Sequence, residues 1–177
     1  RMTTPTSSSS ASGVKVLGAS STGTEVDLTV SDTQPVISAK AKEEAAVGQE
    51  VFRKVVNISS IAGTGGNAGQ INYSAAKAGI LGVTRTMAKE WGRYKVNVNA
   101  VAFGSEMSAS LKDTLREHSD YREDIECHTP LGRIASATEL AEAVQYLASD
   151  GSGFMTGQIM TMDGGRSLLD ACAAPAH

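Results

Sequence analysis

A β-branched apolar run, Lys54–Ile58 (KVVNI), leads through a glycine-rich loop into a long helical pattern, and this succession constrains the fold most. A short continuous run of valine and isoleucine reads as a strand covered on both faces, as in a parallel sheet. Gly63, Gly65, Gly66 and Gly69 follow, and their density argues against regular structure there. From Tyr73 to Trp91, Ile80, Val83, Met87 and Trp91 recur on one helical face, and Gly92 is a natural stop. Ala75, Ala76, Ala78, Gly79 and Gly82 on this helix permit close approach of a neighbour, and core packing explains them equally well.

The alternation continues downstream. Val96–Val101 (VNVNAV) is a strand candidate ending at Phe103-Gly104, and Ser108–Asp124 is a polar, helix-containing surface segment. Ser136-Ala137-Thr138-Glu139 is a capping box, with Leu140, Val144 and Leu147 on one stripe behind it. Gly157–Met162 is a last strand, closed by the turn Asp163-Gly164-Gly165. Upstream, Val14–Leu17 and Glu25–Val30 are strand candidates, and Ala39–Val51 has helical composition with Gly48 as its weak point. Strands alternating with helices predict an α/β domain, a parallel sheet with right-handed crossovers. Ligands in such sheets collect at the carboxyl ends of the strands, where Ser60, Tyr73 and Gly104 fall. Residues 14–170 are expected to form one domain, between a Ser/Thr-rich flexible lead-in at 1–13 and a flexible tail at 171–177.

Composition excludes several function classes. The chain has 177 residues, 41% hydrophobic and 20% charged, enough for one real core. A net charge of −3 gives no reason to expect nucleic acid or an anionic membrane as partner. No apolar run approaches the ~18 residues of a membrane span, so a soluble protein is expected. Cys127 and Cys172 read as free thiols in a reducing compartment, and His118, His128 and His177 as surface residues without metal-ligand spacing. No metal is therefore expected. The Ser-rich, acid-free start carries only Arg1 and Lys15 as basic residues, so the expected location is cytoplasmic, with mitochondrial import as the alternative.

Tyr73 and Lys77 lie four residues apart, one turn on the same helical face. On spacing alone the simpler reading is an exposed helix start with a solvated lysine. The sharper one is a proton-transfer pair. A free tyrosine titrates near pH 10, and bringing it to about 7 takes roughly 4 kcal/mol. A positive charge about 4 Å away supplies about 4 kcal/mol at an effective dielectric near 20, so a lysine one turn on is adequate. Ser60 would hold a carbonyl or alcohol oxygen near the phenol. The set moves protons and cannot supply a hydride, which requires a nicotinamide cofactor.

The run NISSIAGTGGNAGQINYSAAKAGILGVTRTMAKEWG (57–92) strongly resembles the short-chain dehydrogenase/reductase family, most of all its 3-oxoacyl-carrier-protein reductase type. The resemblance continues through VNVNAVAFG (96–104), TPLGRIASATELAEAVQYLAS (129–149) and TGQIMTMDGG (156–165). It implies a Rossmann-type doubly wound sheet using NADP or NAD on a small carbonyl or alcohol substrate, an acyl thioester among the candidates. By that resemblance Tyr73 is the catalytic acid/base. Lys77 lowers its pKa and holds the nicotinamide ribose, Ser60 orients the substrate oxygen, and Gln70 lines the substrate mouth. Gly104 and Ser108 stand where relatives meet the nicotinamide. The resemblance also implies a homo-oligomer paired through the Tyr73–Trp91 helix.

The resemblance is incomplete at the cofactor end. Relatives carry a Thr-Gly-x-x-x-Gly-x-Gly turn whose glycines admit the pyrophosphate. Leu17–Thr24 (LGASSTGT) only faintly matches it, with threonine at both later glycine positions. The better match takes Val14–Leu17 as the family's second strand and Glu25–Asp32 as its third, which sets Asp32 near the adenine. A sheet truncated in its N-terminal half follows. Ala19-Ser20-Ser21 then offers neither an acid favouring NAD nor an arginine for a 2′-phosphate, and Glu106 puts a charge where relatives are apolar. Weak dinucleotide binding is expected. The alternative reading is a cofactor-free relative serving as a non-catalytic structural or assembly subunit.

Overall fold

The structure, a computed structural model, describes residues 14–18, 33–48, 52–107, 109–118 and 120–168. Its centre is a pair of eight-residue parallel strands, β2 (Arg53–Ser60) and β3 (Val96–Phe103). β1 (Val14–Gly18) pairs with β2 and β4 (Ile159–Met162) with β3, giving a parallel sheet in the order β1-β2-β3-β4.

Alternate side chains of β2 and β3 enter two separate cores. Val55, Val96 and Val98 face α3 (Ile71–Trp91), whose Met87, Ala88 and Trp91 close one core. Val56 and Val101 face the opposite way, against Ala143 and Leu147 of α6 (Ala137–Ala148). Each large side chain buried this way contributes roughly 1.5–3 kcal/mol. The β-branched run is thus covered on both faces, as its composition predicts. Polar pins fix the layers. Asn57 Nδ2 donates to Thr84 Oγ1 (2.8 Å), which donates to Ile80 O, tying α3 to β2. Asn99 donates to Met155 O and accepts from Gln158 N–H, holding the approach to β4.

Several elements differ from their sequence expectations. The glycine loop is not irregular: Ile61–Gly65 forms a short helix, α2, because Ser60 caps it through a hydrogen bond from Ala62 N–H. α1 spans Thr33–Ala46, starting earlier than its composition suggests, with Pro35 in the first turn, where a missing N–H costs little. Gly48, at φ +70°, follows its end. α3 ends at Trp91 with Gly92 as its cap, as expected, but Gly92 stays right-handed and a tighter turn, Gly92–Tyr94, carries the chain on to Lys95 at φ 59°. The polar segment holds two helices, α4 (Ala109–Glu117) and α5 (Asp120–Cys127), the latter anchored by buried Ile125. β4 starts two residues late because Gly157 has φ +72°.

The strand order rises monotonically, so the described strands form one winding of the sheet, as a truncated doubly wound fold does. No reversal of order, the place where such folds bind dinucleotides, occurs among the described residues. Val14–Gly18 also pairs directly with the strand that leads to Ser60. A family second strand would lie between first and third, so that assignment of Val14–Leu17 does not hold. The strand candidate Glu25–Val30, the lead-in and the tail lie outside the described residues.

Candidate active site

Tyr73 and Lys77 sit in the first two turns of α3, where the helix passes the carboxyl end of β2. Lys77 Nζ lies 5.5 Å from the centroid of the Tyr73 ring and donates to Ile58 O at 3.3 Å. Lys77 is only 8% exposed, so the reading of a solvated lysine fails. Burial pushes its amine below the ordinary 10.5, and the negative charge of Glu106 partly restores it. Glu106 itself is held by a parallel bridge to Ala135.

Two further residues set the position of Lys77. Ser59 Oγ, fully buried, donates to the Lys77 backbone carbonyl at 2.9 Å and so fastens α3 to the end of β2. At Gly63, in α2, an added Cβ would stand 2.6 Å from the Lys77 carbonyl carbon and 2.8 Å from Ala78 N. Only glycine allows α2 to pack that closely. Sequence reasoning missed both, since it gives Gly63 merely a loop; the adjacent Ser59-Ser60 pair was the available signal.

Ser60 ends β2, half-buried, with its Oγ accepting from Ala62 N–H at 3.2 Å. Its register partner on β3 is Phe103, so Gly104 comes next on the neighbouring strand. Gly104 N–H donates to Met162 O, and a Cβ there would lie 2.8 Å from Asp163 Cα and Cβ. Its glycine requirement in this structure is therefore packing against the Asp163 turn. Burial pushes the Asp163 carboxyl up, but bonds from Ser167 and Gly165 N–H outweigh that and hold it below its ordinary value. Gln70 is exposed at the start of α3, its Oε1 accepting from Asn67 Nδ2. Asp32 and Ser108 lie outside the described residues.

An open cleft adjoins this group at the ends of β3 and β4, lined by Ser105, Leu131, Arg133, Glu139 and Met162 among others, and it does not reach Tyr73. Arg133 and Glu139 form a two-pronged ion pair (2.9 and 2.6 Å) that holds the Glu139 carboxyl down at about 2. The guanidinium is thereby committed within the chain.

Residues 13–167 match the family model described as Enoyl-(Acyl carrier protein) reductase. The chain belongs to the short-chain dehydrogenase/reductase family. It is 43% identical over 114 residues to the 3-oxoacyl-(acyl-carrier-protein) reductase FabG of Chlamydia trachomatis, covering 63% of this chain and 44% of that protein. To the acetoacetyl-CoA reductase of an Acinetobacter species it is 40% identical over 138 residues, 73% of this chain and 54% of the relative. The fold is similar to a gluconate 5-dehydrogenase from Burkholderia cenocepacia solved with NADP and tartrate: TM-score 0.65, 29% identity, 76% of this chain and 51% of that one. The chain spans about half the length of the curated relatives it matches. No helix among the described residues is long and apolar enough to cross a membrane.

Proposed function

We propose that this chain carries the proton-transfer site of an NAD(P)-dependent oxidoreductase of the family, interconverting a carbonyl and a secondary alcohol. A 3-oxoacyl thioester is the substrate class its relatives' names suggest. The observation that carries the reading is a buried lysine beside a tyrosine at the carboxyl end of a parallel strand. In this reading Tyr73 gives its phenolic proton to the carbonyl oxygen, or takes it back from the alcohol. The Lys77 ammonium stabilises the oxyanion left on Tyr73, and Ser60 Oγ orients the reacting oxygen by a hydrogen bond.

The residues present fit one end of a nicotinamide dinucleotide. Lys77 has three N–H donors and bonds one described acceptor, Ile58 O, which leaves donors for ribose hydroxyls beside Tyr73. The dinucleotide, when bound, supplies the hydride. Its pyrophosphate end finds no counterpart among the described residues: their strand order never reverses, the 177-residue sequence contains no Thr-Gly-x-x-x-Gly-x-Gly run, and Arg133 is tied to Glu139. The test is acetoacetyl-CoA reduction at millimolar NADPH. Tyr73→Phe should lower kcat by about 10²–10⁴, the usual weight of general acid catalysis, with KM for NADPH little changed. Unchanged turnover would remove Tyr73 from the role.

The outward face of α3 presents Ala75, Ala78 and Gly82, all exposed, and we propose that it packs on a second copy of the chain. Ala78→Arg should convert a dimer or larger assembly to a monomer by light scattering; a wild-type monomer contradicts the pairing. A cofactor-free assembly subunit would keep this pairing and show no turnover, so the two measurements separate the two readings.

A further inference from the structure

The C-terminal end of α5 places three different donor types together. Asp124, Cys127 and His128 offer a carboxylate oxygen, a thiol sulfur and an imidazole nitrogen that all lie within 4.8 Å of one another. Cys127 Sγ is 3.3 Å from His128 Nδ1, and that nitrogen is 3.3 Å from Asp124 Oδ1. Donors on a tetrahedral zinc ion, bound at about 2.0–2.3 Å, stand roughly 3.4–3.6 Å apart, so the two pairs that His128 makes already match, and the thiol and carboxylate, within 4.8 Å, close by at most about 1 Å through side-chain rotation. The spacing i, i+3, i+4 explains the convergence, because these positions share one helical face.

We propose that Asp124, Cys127 and His128 form a binding site for a zinc-like divalent transition metal, with water completing the coordination. Thiolate and imidazole select borderline and soft ions over magnesium or calcium. The helix C-terminus adds its negative end, which favours a cation. All three side chains are exposed, so an ion enters without disturbing a core. His128 Nδ1 also lies 2.8 Å from the Asp124 carbonyl oxygen. A neutral imidazole that carries its proton on Nε2 instead frees that lone pair for a metal. This site is separate from Tyr73 and Lys77 and does not depend on the proposed reaction.

Cobalt titration of the tag-free, reduced 177-residue chain tests it, followed by the thiolate-to-cobalt charge-transfer band. The expected result is one cobalt per chain, displaced by zinc but not by excess magnesium. Cys127→Ser should abolish the band and His128→Ala should weaken binding about tenfold or more. Cys172→Ser should leave both unchanged. Absence of the band, its survival in Cys127→Ser or its loss in Cys172→Ser would each overturn the site. Because these side chains are exposed, circular dichroism of the variants should match wild type, and a variant that unfolds would contradict the surface placement on which the site rests.

Discussion

Lys77 of α3 and Lys54 of β2 are both buried amines, yet their surroundings differ. Lys77 lies beside an aromatic ring at a strand end where ligands gather. Lys54 is 6% exposed at the opposite end of β2 and donates to Ser152 Oγ at 3.2 Å. Burial pushes the Lys54 amine below 10.5, with Asp150 partly opposing. Above its lowered pKa, the folded chain has lost a proton that the unfolded chain still holds, so stability rises with pH across the window up to 10.5. Lys54→Met should therefore stabilise by about 1 kcal/mol at pH 7, since Ser152 Oγ keeps its acceptors at Leu147 and Ser149. Urea unfolding at pH 7 and pH 10 should show a flatter pH dependence in the variant. A destabilised variant would mean that the Ser152 bond outweighs desolvation. The spacing of Tyr73 and Lys77 was legible in the sequence because helical periodicity alone brings them together. The burial of Lys77 was not, because it depends on Ser59, Gly63 and a neighbouring helix.

At the scale of elements, α2 is the part that turns a helical repeat into a site. It packs its Gly63 against the Lys77 backbone and takes its cap from Ser60. Gly63→Ala would force α2 and α3 apart at the first turns of α3, costing about 2 kcal/mol or more by overpacking. Lower urea stability with reduced turnover is the expected outcome. Wild-type behaviour in both would show that α2 does not set the position of Lys77. β2, α3, β3 and α6 were all legible, since β-branched runs, helical stripes and a capping box are strong local signals. α2 was hidden by its own composition: glycine density predicts a loop, and only close packing makes glycine useful in a helix here. Gly92 does mark the end of α3, but in a right-handed conformation, because the tighter turn that follows leaves the left-handed position to Lys95.

For the whole molecule, the four described strands make one winding of a sheet whose family normally winds twice. The class of fold and its truncation were legible from the order of strands and the absent glycine motif. The pairing partner of Val14–Gly18 was not, because a five-residue strand carries no signal for which neighbour it joins. One winding supplies the carboxyl ends that hold Ser60, Tyr73 and Lys77, and leaves the adenylate half of a dinucleotide without described contacts. The most direct measurement compares NADPH with reduced nicotinamide mononucleotide as hydride donors for acetoacetyl-CoA reduction by the 177-residue chain. An adenylate half that is not held adds nothing to transition-state binding, so kcat/KM should agree within about threefold. A preference for NADPH of about 100-fold, near 2.8 kcal/mol of extra binding, would contradict the account.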